Sequence, residues 1–117
     1  MERTVGGIDL VLALRGALVA LALHFFLFLA LDGKGMLVLG TMNLGSTFIG
    51  GLYSAKRARS MRIQHGGMAG LFKGIIDQSL IGLLGGRPSL LGAAVSAVFG
   101  ALGGAGWEVL RRARQVG

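Results

Sequence analysis

The stretch LVLALRGALVALALHFFLFLAL, Leu10 to Leu31, is an apolar run bounded by Asp9 and Asp32. About 20 apolar residues in a helix cross the roughly 30 Å hydrocarbon layer of a bilayer, so this run is long enough to span one. Only Arg15 and His24 interrupt it. A central Arg costs about 2.5–3.5 kcal/mol on insertion, and each Leu, Val or Phe returns about 0.3–0.6 kcal/mol. The apolar residues outweigh it. Arg15 also stands near the helix start, where its long stem can carry the charge to the interface. The run is too long for a signal peptide and lacks a small-residue cleavage site.

Outward from this run, the same pattern repeats. Asp32-Gly33-Lys34-Gly35 makes a tight polar turn, and Met36 to Ala55 follows without a charge. Lys56, Arg57, Arg59 and Arg62 form a central basic loop. A third run extends from His65 to Leu84 and a fourth from Ser89 to Leu110, separated by Gly85-Gly86-Arg87-Pro88. Pro88 is placed in the first turn of the fourth helix, where its missing N–H costs nothing. The sequence thus predicts an all-α polytopic membrane protein of one domain. Its four transmembrane helices, at about 10–31, 36–55, 65–84 and 89–110, form two hairpins.

Composition agrees. Hydrophobic residues make up 53% of the 117 and charged residues 15%, against roughly 25% charged in soluble domains. Mean hydropathy is +0.70. A chain this short cannot hide so much apolar surface in a core of its own. The absence of cysteine excludes disulfides and thiolate chemistry.

The net charge of +7 is unevenly placed. With four spans, Arg3, the central basic loop, Arg111, Arg112 and Arg114 share one side, leaving Lys34 and Arg87 opposite. The positive-inside rule puts the basic side, with both termini, in the cytoplasm. A multi-pass protein of the bacterial inner membrane follows. The basic clusters are expected to set topology and meet anionic lipid headgroups, not nucleic acid.

Small residues recur every fourth position, and such stripes let helices approach closely. Gly66, Gly70 and Gly74 form one, Gly92, Ser96, Gly100 and Gly104 a second, and Ser46, Gly50 and Ser54 a third. They are expected to pack helices within the monomer, or else to build a homo-oligomer or a larger membrane complex.

The third run holds Lys73 and Asp77, spaced one helical turn apart. Two central charges cost more than its apolar residues return, so this helix needs its charges paired or shielded. Measured along each helix at about 1.5 Å per residue, Asp77, Asn43, Ser96 and His24 fall at roughly 18–24 Å from the cytoplasmic ends, with Lys73 at roughly 13 Å. These five residues are the candidate mid-membrane polar site. It is either a satisfied structural network or an ion or proton site built on Asp77. Tyr53 and Trp107 are expected to be interfacial anchors.

No Ser/His/Asp arrangement, phosphate loop or metal-ligand spacing is present, so neither enzymatic activity nor a metal or other cofactor is expected.

The segments Ile49-Gly-Gly-Leu-Tyr-Ser-Ala-Lys-Arg-Ala58, His65-Gly-Gly-Met-Ala-Gly-Leu-Phe72 and Gly100-Ala-Leu-Gly-Gly104 resemble an uncharacterised family of small four-helix membrane proteins of Gram-positive bacteria. The resemblance covers roughly Ile49 to Gly104 and implies topology but no reaction. Trp107 and the basic tail depart from the family pattern. Gly40-Thr-Met-Asn-Leu-Gly-Ser-Thr-Phe48 is similar to the second-helix motif of small dimeric fluoride channels. The spacing is offset, however, and their Phe- and Thr-rich third-helix motif is missing. The expected function is a structural or accessory membrane subunit packing through glycine-rich faces. The alternative is an oligomeric ion or proton channel or transporter using Asp77, with a fluoride channel as a minor variant.

Overall fold

The computed structural model describes residues 4–5, 8–30, 36–58 and 60–116. The turn at 32–35, Arg3 and Arg59 lie outside the described residues. The chain is all-α, with α1 (Leu10–Ala30), α2 (Met36–Arg57), α3 (Arg62–Leu83) and α4 (Leu90–Val116). A short antiparallel ribbon precedes them, β1 (Thr4–Val5) against β2 (Ile8–Asp9). The sequence offered no strand signal there.

Helix ends follow local chemistry. Asp9 caps α1, its Oδ1 accepting from the amides of Val11 and Leu12, both at 3.1 Å, which satisfies two donors that the first turn leaves open. At the end of α3 the amide of Gly86 donates to the Ile81 carbonyl at 2.8 Å, and that of Gly85 to Gly82 at 3.2 Å. Gly85 has φ +91°, the left-handed conformation that glycine adopts without a Cβ penalty in this type of C-terminal cap.

Several expected boundaries shift. The central basic loop is mostly helical: Lys56 and Arg57 close α2, and Arg62 opens α3. Cations near a helix C-terminus are favoured by its dipole, so α2 has no reason to stop before them. Met61, at φ 53°, turns the chain between the two helices. Pro88 lies outside α4, not in its first turn; Ser89 precedes the helix and its Oγ accepts from the amide of Gly92 at 3.4 Å. α4 continues through Arg111, Arg112 and Arg114.

α2 and α3 form the shared centre. Each meets all the other helices, whereas α1 and α4 do not meet among the described residues. α3 packs most extensively on α4. Among the described residues two helices, α1 and α4, are long and apolar enough to cross a membrane, against the four expected; the polar residues of α2 and the charges of α3 lower the hydropathy of the other two.

The interior is built from small side chains. Ala13, Ala17, Ala20, Ala55, Ala69 and Ala93 are buried, together with Ser46, Thr47 and Ser54; Leu12 and Met42 are the large apolar residues buried among those described. The outside carries the bulk: Phe25 is 66% exposed, Phe26 65% and Leu90 91%. This inverts the order of a water-soluble core, where Leu, Ile and Phe are the residues most often enclosed.

The seams explain the inversion. A Cβ added to Gly50 would stand 2.7 Å from the Cβ of Ala20 on α1, one added to Gly51 would collide with the Gly100 carbonyl, and one on Gly104 would stand 2.6 Å from the Arg62 carbonyl. Along α3, Gly66 and Gly70 lie against Gly100, Gly70 and Gly74 against Ser96, and Gly74 also against Ala93. Gly92 faces the side chain of Gln78. The glycine stripes are therefore occupied within this chain, mostly by the backbone of the facing helix and at Gly92 by the Gln78 side chain.

Candidate functional site

Between the glycine seams, the other side of α3 carries the polar residues. Lys73 is completely buried, and its ammonium donates to Asp77 Oδ2 at 2.6 Å. The same ammonium donates to the side-chain carbonyl of Asn43 on α2. Helical spacing brings Lys73 and Asp77 onto one face, and the α2–α3 contact supplies Asn43. An enclosed ammonium without partners would be very costly; here two acceptors meet it.

Asp77 is the open end of this group, its side chain 17% exposed. It lines a groove of about 410 Å³ with Ile76 and Leu80 from its own helix and with His24, Phe25 and Phe28 from α1. Among the described residues His24 makes no hydrogen bond to the protein.

The structure thus brings Lys73, Asp77 and Asn43 into one hydrogen-bonded cluster and sets His24 beside it. Ser96 is elsewhere. It is buried on the α4-facing side of α3, its Cβ 3.0 Å from where a Cβ of Gly74 would stand. Equal depth along a helix does not give equal direction around it, and Ser96 points into the glycine seam.

Two ties between elements were not singled out from the sequence. Ser54 Oγ donates to the Leu12 carbonyl at 3.0 Å, joining α2 to α1. His65 is buried, its Nε2 accepting from the Asp9 amide at 2.9 Å while its Nδ1 lies 2.8 Å from the Met61 carbonyl. This pair of contacts assigns the proton to Nδ1. The signal available for His65 was a titratable residue at a helix start followed by Gly66-Gly67, where backbones come close.

At the basic end, Trp107 lies under two cations, Lys56 at 5.9 Å and Arg114 at 5.7 Å from the ring centre, and Arg57 stands 4.8 Å over Tyr53. Arg111 bonds Glu108 at 3.0 Å, and Arg62 approaches it at 3.6 Å. Among the described residues no group of three or more His, Asp or Glu side chains could hold a metal ion. No protein family, curated protein or solved structure matches the chain.

Proposed function

We propose that the chain is a four-span protein of the bacterial cell membrane, with both ends cytoplasmic, serving as a non-enzymatic accessory subunit. The observation that carries the reading is the inverted distribution of side chains: small and polar residues inside, Phe and Leu outside. Lipid is the solvent in which that arrangement is stable, since close small-residue packing holds helices together where the hydrophobic effect does not. The basic ends of α2 and α4, with Trp107 and Tyr53, suit an anionic cytoplasmic surface. Because the glycine faces are occupied within the chain, a partner subunit would meet the outer apolar surface.

The absence of native cysteine makes topology directly testable. Lys34→Cys and Arg87→Cys react with an impermeant maleimide on intact cells, whereas Arg59→Cys and Arg114→Cys react only after the membrane is opened. Reaction of Arg59→Cys from outside overturns the topology. For the accessory role, crosslinking in native membranes recovers a second protein; self-contacts alone speak against it.

A second reading, an oligomeric ion or proton channel or transporter, draws on the partial exposure of Asp77 beside His24. Ionisable residues inside spans mark such pathways. Flux into liposomes that disappears in a folded Asp77→Asn variant favours it, and no flux under any ion gradient removes it.

A further inference from the structure

The groove between α1 and α3 has the features of a small-molecule site. Its volume of about 410 Å³ lies within the roughly 300–1,000 Å³ of ligand pockets, which are mostly apolar with a few convergent polar groups. Here the polar groups in the lining are Asp77 and His24, and the walls include Phe25, Phe28, Ile76 and Leu80.

The polar groups define what head the ligand carries. Asp77 gives one oxygen to Lys73, so its negative charge is balanced by the adjacent ammonium. A cationic head would be repelled by the Lys73 ammonium enclosed behind Asp77 and an anionic one by the Asp77 carboxylate, each after losing its hydration, which is costly in an apolar site. A neutral head that donates one hydrogen bond and accepts another meets neither penalty. It can donate to the carboxylate and bond to the imidazole, which has no partner among the described residues. A hydroxyl does both. The flanking Phe25 and Phe28 favour an aromatic ring behind it, packed offset or edge-on.

We propose that this groove binds a neutral, lipid-soluble hydroxyl compound, a phenol with an apolar tail, through Asp77 and His24. The proposal goes beyond an accessory role and rests on the membrane reading, which places the groove in lipid. The competing occupant is an ordinary lipid acyl chain, which would fill the walls and leave both polar groups unused.

The test uses the full chain in lipid nanodiscs and a diazirine-bearing para-nonylphenol, with labelled residues mapped by mass spectrometry. Labelling falls on Phe25, Phe28 or Leu80. Unlabelled nonylphenol competes at about tenfold lower concentration than nonylbenzene, the size of one net hydrogen bond. His24→Phe reduces that preference, while His24→Gln retains part of it. Leu80→Trp changes a surface residue that is 49% exposed and blocks labelling without touching the cluster, so it serves even if the His24 variants do not fold. Equal competition by nonylbenzene assigns the groove to acyl chains and overturns the proposal. Stronger competition by decylammonium or decanoate overturns the neutral head. An undiminished preference in a folded His24→Phe variant removes His24 from the site.

Discussion

Lys73 and Asp77 stand one turn apart on α3, and the ammonium of the first, wholly enclosed, donates to the carboxylate of the second at 2.6 Å. Desolvating both groups offsets much of their attraction, so the pair contributes little net stability, yet losing one partner strands the other. Asp77→Leu is expected to destabilise the bundle by about 3–5 kcal/mol, and Lys73→Met combined with Asp77→Leu to recover most of it. Unfolding in mixed detergent, followed by circular dichroism, gives the coupling directly; simple additivity of the two single changes would show that the pair is not coupled.

The α3–α4 seam predicts a contrast between two glycines. A Cβ on Gly70 would come within 2.9 Å of the Ser96 carbonyl carbon and 3.0 Å of Gly100 Cα, both backbone atoms, whereas one on Gly45 meets nothing within 4 Å. Gly70→Ala should destabilise by about 1–3 kcal/mol, the range for overpacking. Gly45→Ala should be neutral or stabilising by up to about 1 kcal/mol, since alanine is the better helix former. Equal effects in the same detergent titration would mean that the seam is looser than the backbone contacts imply.

Amide exchange separates the two jobs of Asp9. Its side chain caps α1, so Asp9→Ala should cost about 0.5–2 kcal/mol and speed exchange at Val11 and Leu12. Its backbone amide donates to His65 Nε2, so His65→Phe should instead speed exchange at the Asp9 amide, at about 0.5–1.5 kcal/mol for the loss of one hydrogen bond. Slow exchange at Asp9 in that variant would refute the tie between the N-terminal ribbon and α3.

Ser54→Ala removes the hydroxyl that donates to the Leu12 carbonyl. Hydrogen bonds between membrane helices average about 0.6 kcal/mol, and a loss of that order is expected in the same titration. A loss beyond about 1.7 kcal/mol, the largest such value, would point to repacking around Gly16 rather than to the bond.

The single tryptophan reports the position of the basic end. Trp107, held under Lys56 and Arg114, should be quenched most by lipids brominated near the headgroup. Strongest quenching by bromines at the chain ends would contradict an interfacial anchor.

The four helices were legible in the sequence because each apolar run is bounded by charge or glycine, and the distribution of Lys and Arg is visible without coordinates. The period of four likewise showed which small residues share a face, and the spacing of Lys73 and Asp77 showed that they could pair. Helix ends were less legible, because Lys56, Arg57 and the Arg111–Arg114 segment are good helix formers whose charge resembles a loop. What only the tertiary structure decided is direction around each helix. Rotation and pairing of helices depend on which seams close, and those contacts join residues far apart in the chain. They turn Asn43 toward Lys73, set His24 beside Asp77, aim Ser96 into the glycine seam, and bring His65 to the amide of Asp9.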